Sequence, residues 1–143
     1  MNSVVVPIEE WSSPTRAIDY VIGLYRQAPI VIHLVNVRAP LPRYVSRFIP
    51  GTERLAFHLE NGMRAMRAAI ERLDESGVAH REHVLVGNKA ESIVQFAHEH
   101  GCTQIVLDRP AGNVLDRLGL GSVHAQLHHL VRPGDSCQIH EGA

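Results

Sequence analysis

The chain has 143 residues, 45% of them hydrophobic and 20% charged, with 14 Lys and Arg set against 15 Asp and Glu. That length suits one domain over residues 1–143 with a core of its own, and a formal charge of -1 argues against a broad basic face for DNA or RNA. No apolar run approaches the ~20 residues a membrane helix needs, and the opening MNSVVVPIEE lacks the basic segment of a secretory signal, so a cytoplasmic protein that meets no membrane is expected.

Residues 4–8 read as a short buried strand, β-branched and apolar, bounded by Pro7 and by Glu9 and Glu10. The stretch SSPT then starts a helix, with Ser13 expected as N-cap and Pro14 in the first helical position. Ala17, Val21 and Leu24 follow at helical spacing. Residues 30–37, IVIHLVNV, form the second strand, apolar almost throughout as a strand covered on both faces should be. His33, its one ionisable member, is expected as a packed core or boundary residue rather than a ligand.

Residues 38–51 carry three prolines and a glycine, which forbid a stable helix through the stretch. Tyr44, Phe48 and Ile49 within it are costly to leave exposed, so they are expected to fold back as a lid or to meet a partner. A long helix begins at Thr52, where Leu55, Leu59, Met63, Met66, Ile70 and Leu73 form one apolar stripe. Both methionines of that stripe are expected in the core. DESG ends the helix with Gly77 in the C′ position.

The third strand falls within residues 78–86. Its firm part is VLV, and the polar HREH before it marks an edge strand. Asn88 caps the next helix, with Glu91 completing a capping box, Ile93, Val94 and Ala97 facing inward and Gly101 closing it. TQIVLD is the fourth strand. Gly121 and Ser122 open the last helix, with Val123, Leu127, Leu130 and Val131 inward, and SCQIH is a weak fifth strand. Strand and helix therefore alternate throughout, the pattern of a parallel sheet sandwiched by helices with right-handed crossovers.

In such a sheet ligands bind beyond the carboxyl ends of the strands, where strand order reverses. Glu9 and Glu10, Val37, and residues 108–111 stand there. The segment LDRPAGNVLDRLGLGS, residues 107–122, is a glycine-bearing crossing from strand to helix, and small residues let backbone N–H groups approach an anion. Asp108 counts against a strong anion site, because a carboxylate repels a polyphosphate unless a cation intervenes. Pro110 removes one backbone donor from the same loop.

Other chemistry finds little support. Cys102 and Cys137 are too few for a disulfide scaffold and are expected as inert, semi-buried thiols. His124, His128 and His129 share one helix but have no cysteine or carboxylate at ligand spacing, so no metal site is expected. His98 with His100, and His80 with His83, are read in the same way. Ser12, Ser13 and Ser122 are expected as helix caps. No nucleophile elbow, Walker A loop or glycine fingerprint after the first strand is present, so no catalytic residue is assigned.

Over nearly its whole length the chain resembles the universal stress protein family. The likeness is carried by VVVPIEE, IHLVNV, VLVGNKAESIVQFAHEHGCTQIVLD and GLGSVHAQLHHLV. It implies a three-layer α/β/α sandwich of the adenine nucleotide alpha hydrolase-like kind, with five parallel strands in the order 3-2-1-4-5. It also implies a homodimer joined through the last strand; the loop of Tyr44 and Phe48 is the alternative interface. Nucleotide-binding members have an acidic residue after strand one, then a glycine, two residues, a second glycine, nine residues and glycine-serine. Counting back from Gly121 and Ser122 places the two earlier glycines at Asp108 and Ala111, and the acidic residue at Glu9. Gly112 sits one place late.

The motif is therefore degenerate. By the resemblance, Glu9, Val37, Asp108, Arg109, Ala111, Gly121 and Ser122 line the mouth, with Arg109 able to offset Asp108 or reach a phosphate. The primary expectation is a non-enzymatic stress-response or regulatory homodimer with weakened or absent ATP binding, acting through a protein partner. The alternative is an ATP- or AMP-binding switch, with Mg²⁺ joining carboxylates to phosphates and at most slow hydrolysis.

Overall fold

A computed structural model describes residues 2–9, 14–108 and 123–142 of the chain. Strand β1 (Asn2–Pro7) leads to helix α1 (Thr15–Gln27) and strand β2 (Ile30–Arg38). The one-turn helix α2 (Arg43–Ser46) and the long α3 (Gly51–Glu75) precede β3 (Arg81–Val86). Then come α4 (Lys89–Glu99), β4 (Cys102–Asp108), α5 (Val123–Leu130) and β5 (Gln138–Gly142). The sheet runs β3-β2-β1-β4-β5 with every pairing parallel. This is the expected order, and it places strand order reversal between β1 and β4.

The central strands alternate between two cores. Val4, Val6, Ile32, Leu34 and Val106 meet α1 and α3 through Ile18, Val21, Met66 and Leu73. Val5, Val35, Val37, Ile105 and Leu107 meet α4 and α5 through Ile93, Phe96, Ala97 and Leu127. A period of two along each strand thus supplies both layers, which is why β2 reads as a continuous apolar run.

Local signals act largely where expected. Asn88 Oδ1 accepts from the Glu91 N–H at 3.1 Å, capping α4. Gly77 lies at φ +68° after α3, with its N–H on the Asp74 carbonyl and the Val78 N–H on the Leu73 carbonyl. Those two bonds are the Schellman closure, and the left-handed φ explains the glycine. β3 is an edge strand, as its polar opening indicated.

Five expectations are corrected. A turn of helix, α2, does form between Pro42 and Pro50; proline is tolerated at a helix entrance, and Pro42 stands just outside it. Tyr44 and Phe48 do not fold back: they are 69% and 75% exposed. Within the α3 stripe Met66 is fully buried, but Leu55, Leu59 and Met63 are exposed. The buried line of α3 is instead His58, Gly62, Met66, Ala69 and Leu73, and at 3.6 residues per turn each step of four swings Leu59 and then Met63 further to one side of it. Leu130, at the end of α5, is exposed rather than inward. Pro14 stands at the N-cap of α1, one place before its expected position, and Ser13 lies outside the described residues.

Candidate functional site at the carboxyl edge of the sheet

Glu9, Val37 and Asp108 follow or end β1, β2 and β4, three neighbouring strands, and so stand along one edge of the sheet. Arg109, Ala111, Gly121 and Ser122 lie outside the described residues, as do Glu10, Trp11, Ser12 and Ser13.

Asp108 is the most strongly engaged of the three. Its Oδ1 accepts from the Ala17 backbone N–H at 2.6 Å, across 91 residues of chain. Ala17 belongs to the first turn of α1, whose N-cap is Pro14; that turn has no side-chain cap of its own and no acidic residue. A helix N-terminus leaves N–H groups unsatisfied and favours negative charge. Asp108 supplies both needs, which makes it a long-range cap rather than a bare carboxylate. Its carbonyl is engaged too, accepting from His124 Nε2 at 2.9 Å, so the end of β4 is tied to both α1 and α5.

Glu9 faces the opposite layer. Its carboxylate lies 4.0 Å from the Lys89 ammonium at the start of α4. The two described carboxylates of the mouth therefore diverge, each toward its own counter-group, instead of combining into one acidic pocket. Val37 is buried among the α4-side core residues, so at this edge it offers backbone, not side chain.

Sequence reasoning missed a polar group on the α3 side of this edge. Asn36 is 1% exposed, and its Nδ2 donates to the Ile8 carbonyl at 2.7 Å, fastening the end of β1 to β2. His58 of α3 is buried as well, and burial followed by the Arg38 charge lowers its pKa. The signal available was the apolar alternation itself: Asn36 breaks it two residues after Leu34, and His58 interrupts the inward face of α3.

A second polar group lies on the α4 face. His33 Nδ1 and His83 Nε2 are 2.9 Å apart, one ring donating and the other accepting. Phe96 stands edge-on to His33 and stacks on His100 with centroids 3.9 Å apart. Burial, then the charges of His83, His100 and Arg81, push His33 down to about 4. Burial is also the main cause that lowers His83. His33 is thus a packed residue, as expected, held neutral by its surroundings. His80 lies between Asp74 and Glu82, and His128 pairs with Glu141.

Burial pushes the Cys102 thiol up to about 12, with Cys137 nearby, and raises Cys137 as well, so neither is a ready thiolate. No cluster of three or more metal-ligating side chains occurs among the described residues. None of their helices is long and apolar enough to cross a membrane. A cavity of about 520 Å³ lies at the far end of the sheet, between Tyr25, Arg26, Ile30, His80 and Arg81, remote from the carboxyl edge.

The fold is a parallel α/β sandwich whose strand order reverses between β1 and β4, the position at which open sheets of this kind take their ligands. Residues 1–132 match the model of the universal stress protein family, and the chain belongs to that family. No curated protein matches it. Among solved structures it is similar to UspA from Lactobacillus plantarum, at 15% identity and TM-score 0.72, over 99% of this chain and 97% of that one. It is similar to a universal stress protein in complex with cAMP, at 19% identity and TM-score 0.65, over 99% and 98%. It is also similar to a universal stress protein from Archaeoglobus fulgidus in complex with dAMP, at 16% identity and TM-score 0.62, over 97% of each. At these identities the likeness concerns the fold.

Proposed function

We propose that the chain, as one domain over residues 1–143, is a cytoplasmic, non-enzymatic regulatory member of the family with weakened or absent nucleotide binding. It acts as a homodimer on a protein partner. The observation that carries this reading is the Asp108 carboxylate on the Ala17 N–H. The N-terminus of a helix is where an anion gains most from backbone donors and dipole. Here a side chain of the protein already takes one of those donors, so a phosphate arriving beside it meets a seated negative charge. The mouth is assigned to Glu9, Val37, Asp108, Arg109, Ala111, Gly121 and Ser122. β5 is an open edge of the sheet, which suits pairing with a second copy.

Calorimetry with MgATP, AMP and cAMP tests the reading. Wild-type protein is expected to give no low-micromolar binding. Asp108→Gly combined with Ala111→Gly is expected to strengthen it, by removing the charge and restoring close backbone approach. Tight MgATP binding by the wild type would refute the proposal. No binding by either protein would mean that the pocket is lost beyond these two side chains.

The nucleotide-switch reading is favoured by one local feature. Lys89 stands beside Glu9 at the mouth, a cation placed where a phosphate would need one. The cAMP and dAMP complexes of similar folds make those two nucleotides the first ligands to try.

A further inference from the structure

The ladder between β2 and β3 begins late. β2 starts at Ile30, but its first partner in β3 is Arg81, opposite His33, so residues 30–32 have no β3 residue paired beside them. The cavity of about 520 Å³ lies in that gap, with Ile30, Ile32, His80 and Arg81 among its walls. The first rungs of an edge strand thus adjoin open space. Two different contacts hold β3 on its two faces. On the α3 face, Val84 packs so closely on Gly62 that a Cβ added there would lie 2.5 Å from it. On the α4 face the contact is polar: His33 Nδ1 and His83 Nε2 are 2.9 Å apart, and Phe96 and His100 of α4 and its C-cap stand against both rings.

A hydrogen bond between two imidazoles tolerates one added proton and no more. With both rings neutral, one donates its N–H and the other accepts. One proton can join the outer nitrogen of the donor ring and leave the bond intact. A second must go to the accepting nitrogen, and two N–H groups then face each other. The surroundings oppose charge here. Arg81 is the register partner of His33, and His100 approaches from the end of α4. β1 and β2 flank the pair on this face with Val5 and Val35. Among the described residues Glu82 alone favours a charged His83, and its carboxylate lies 2.7 Å from His80 Nδ1. His80 also meets Asp74, which tethers the segment to the end of α3. We propose that the His33–His83 pair is a proton-operated latch that, on acidification, opens residues 81–83 away from β2 at the cavity end of the ladder while Val84–Val86 stay paired. Opening bares the edge of β2 from Ile30 to Val35, and an unpaired strand edge is a surface on which another strand can pair. The direction follows from linkage: both rings have lowered pKa values in the closed arrangement, His33 at about 4, so protons bind the open one more tightly and falling pH favours it.

Amide hydrogen exchange followed residue by residue by NMR tests the latch, each rate being divided by the intrinsic rate at that pH. Between pH 6.5 and about 4, protection at Arg81, Glu82 and His83 is expected to fall at least ~10-fold further than at Val4, Val5 and Val6 of β1. His33→Phe with His83→Leu should abolish that extra loss, whereas His80→Gln should leave it in place. The ring-nitrogen resonances of His33 and His83 in the wild type give a second readout that needs no variant: the second protonation should coincide with the loss of protection at residues 81–83. Protection that falls equally in β1, β4 and β3 would overturn the proposal, as would protection at residues 81–83 that ignores pH. An extra loss that survives the double substitution, or that His80→Gln removes, would assign it to other groups and overturn the latch as well.

Discussion

On the face of the sheet covered by α1 and α3, the buried side chains of β1 and β2 are aliphatic up to Asn36 near the carboxyl edge; polar groups of β4 on that face are met by α1, Gln104 accepting from the Tyr20 hydroxyl and Asp108 from the Ala17 N–H. On the face covered by α4 and α5, polar rings enter the layer itself. His33 takes an inward position between Val5 and Val35, and His83 lies opposite Val35 in the register with β3. Both faces come from the same alternating strands, yet on one the core of β1 and β2 is aliphatic, with polar groups bonded individually to backbone or to α1, and on the other rings within the layer satisfy one another. The difference shows what a buried titratable group requires. His33 is accommodated by the ring of His83 and the aromatic edge of Phe96, and it stays neutral because charging it there would bring it against His83, His100 and Arg81.

The contrast can be broken most forcefully on the aliphatic side. Leu34 is fully buried, so Leu34→Ala should cost about 3–5 kcal/mol in urea-induced unfolding, with little dependence on pH. On the other face pH is the perturbant. The His33 pKa in the folded chain, about 4, lies below its ordinary value of 6.5, so the unfolded chain binds the proton first. Its contribution is intact above pH 6.5 and is lost as pH falls toward 4, on the order of 3 kcal/mol in all. Denaturant titrations across that window should show the loss, and His33→Leu should flatten it; an equally steep acid limb in the variant would assign the effect elsewhere. The smallest effect sharpens the picture of the α3 side. Gly62→Ala forces Val84 to move and should cost about 1–3 kcal/mol, read as a lower melting temperature. If the variant is as stable as wild type, α3 is not held as closely to β3 as its geometry indicates.

Strand periodicity, the Asn88 cap, the Gly77 stop and the order of elements were legible in the chain because each depends on residues near one another in sequence. Those local preferences agree with one another, and the parallel sandwich follows from them. The family motif likewise marked Glu9, Val37 and Asp108 for one edge. Tertiary structure decided what each group meets there. Asp108 read as a repelling charge, and only the approach of α1, 91 residues earlier, turns it into a helix cap. Leu55, Leu59 and Met63 read as core because their spacing matches that of Met66 and Leu73. Spacing defines a stripe but not which flank of it meets the sheet, and here His58, Gly62, Met66, Ala69 and Leu73 take the inward line while Leu59 and Met63 stand beside it. The pairing of His33 with His83 was hidden for the same reason, since their meeting depends on strand register across 50 residues. Local sequence determines the elements and their inward faces; contact between distant elements determines which charges are compensated and which apolar surface stays open.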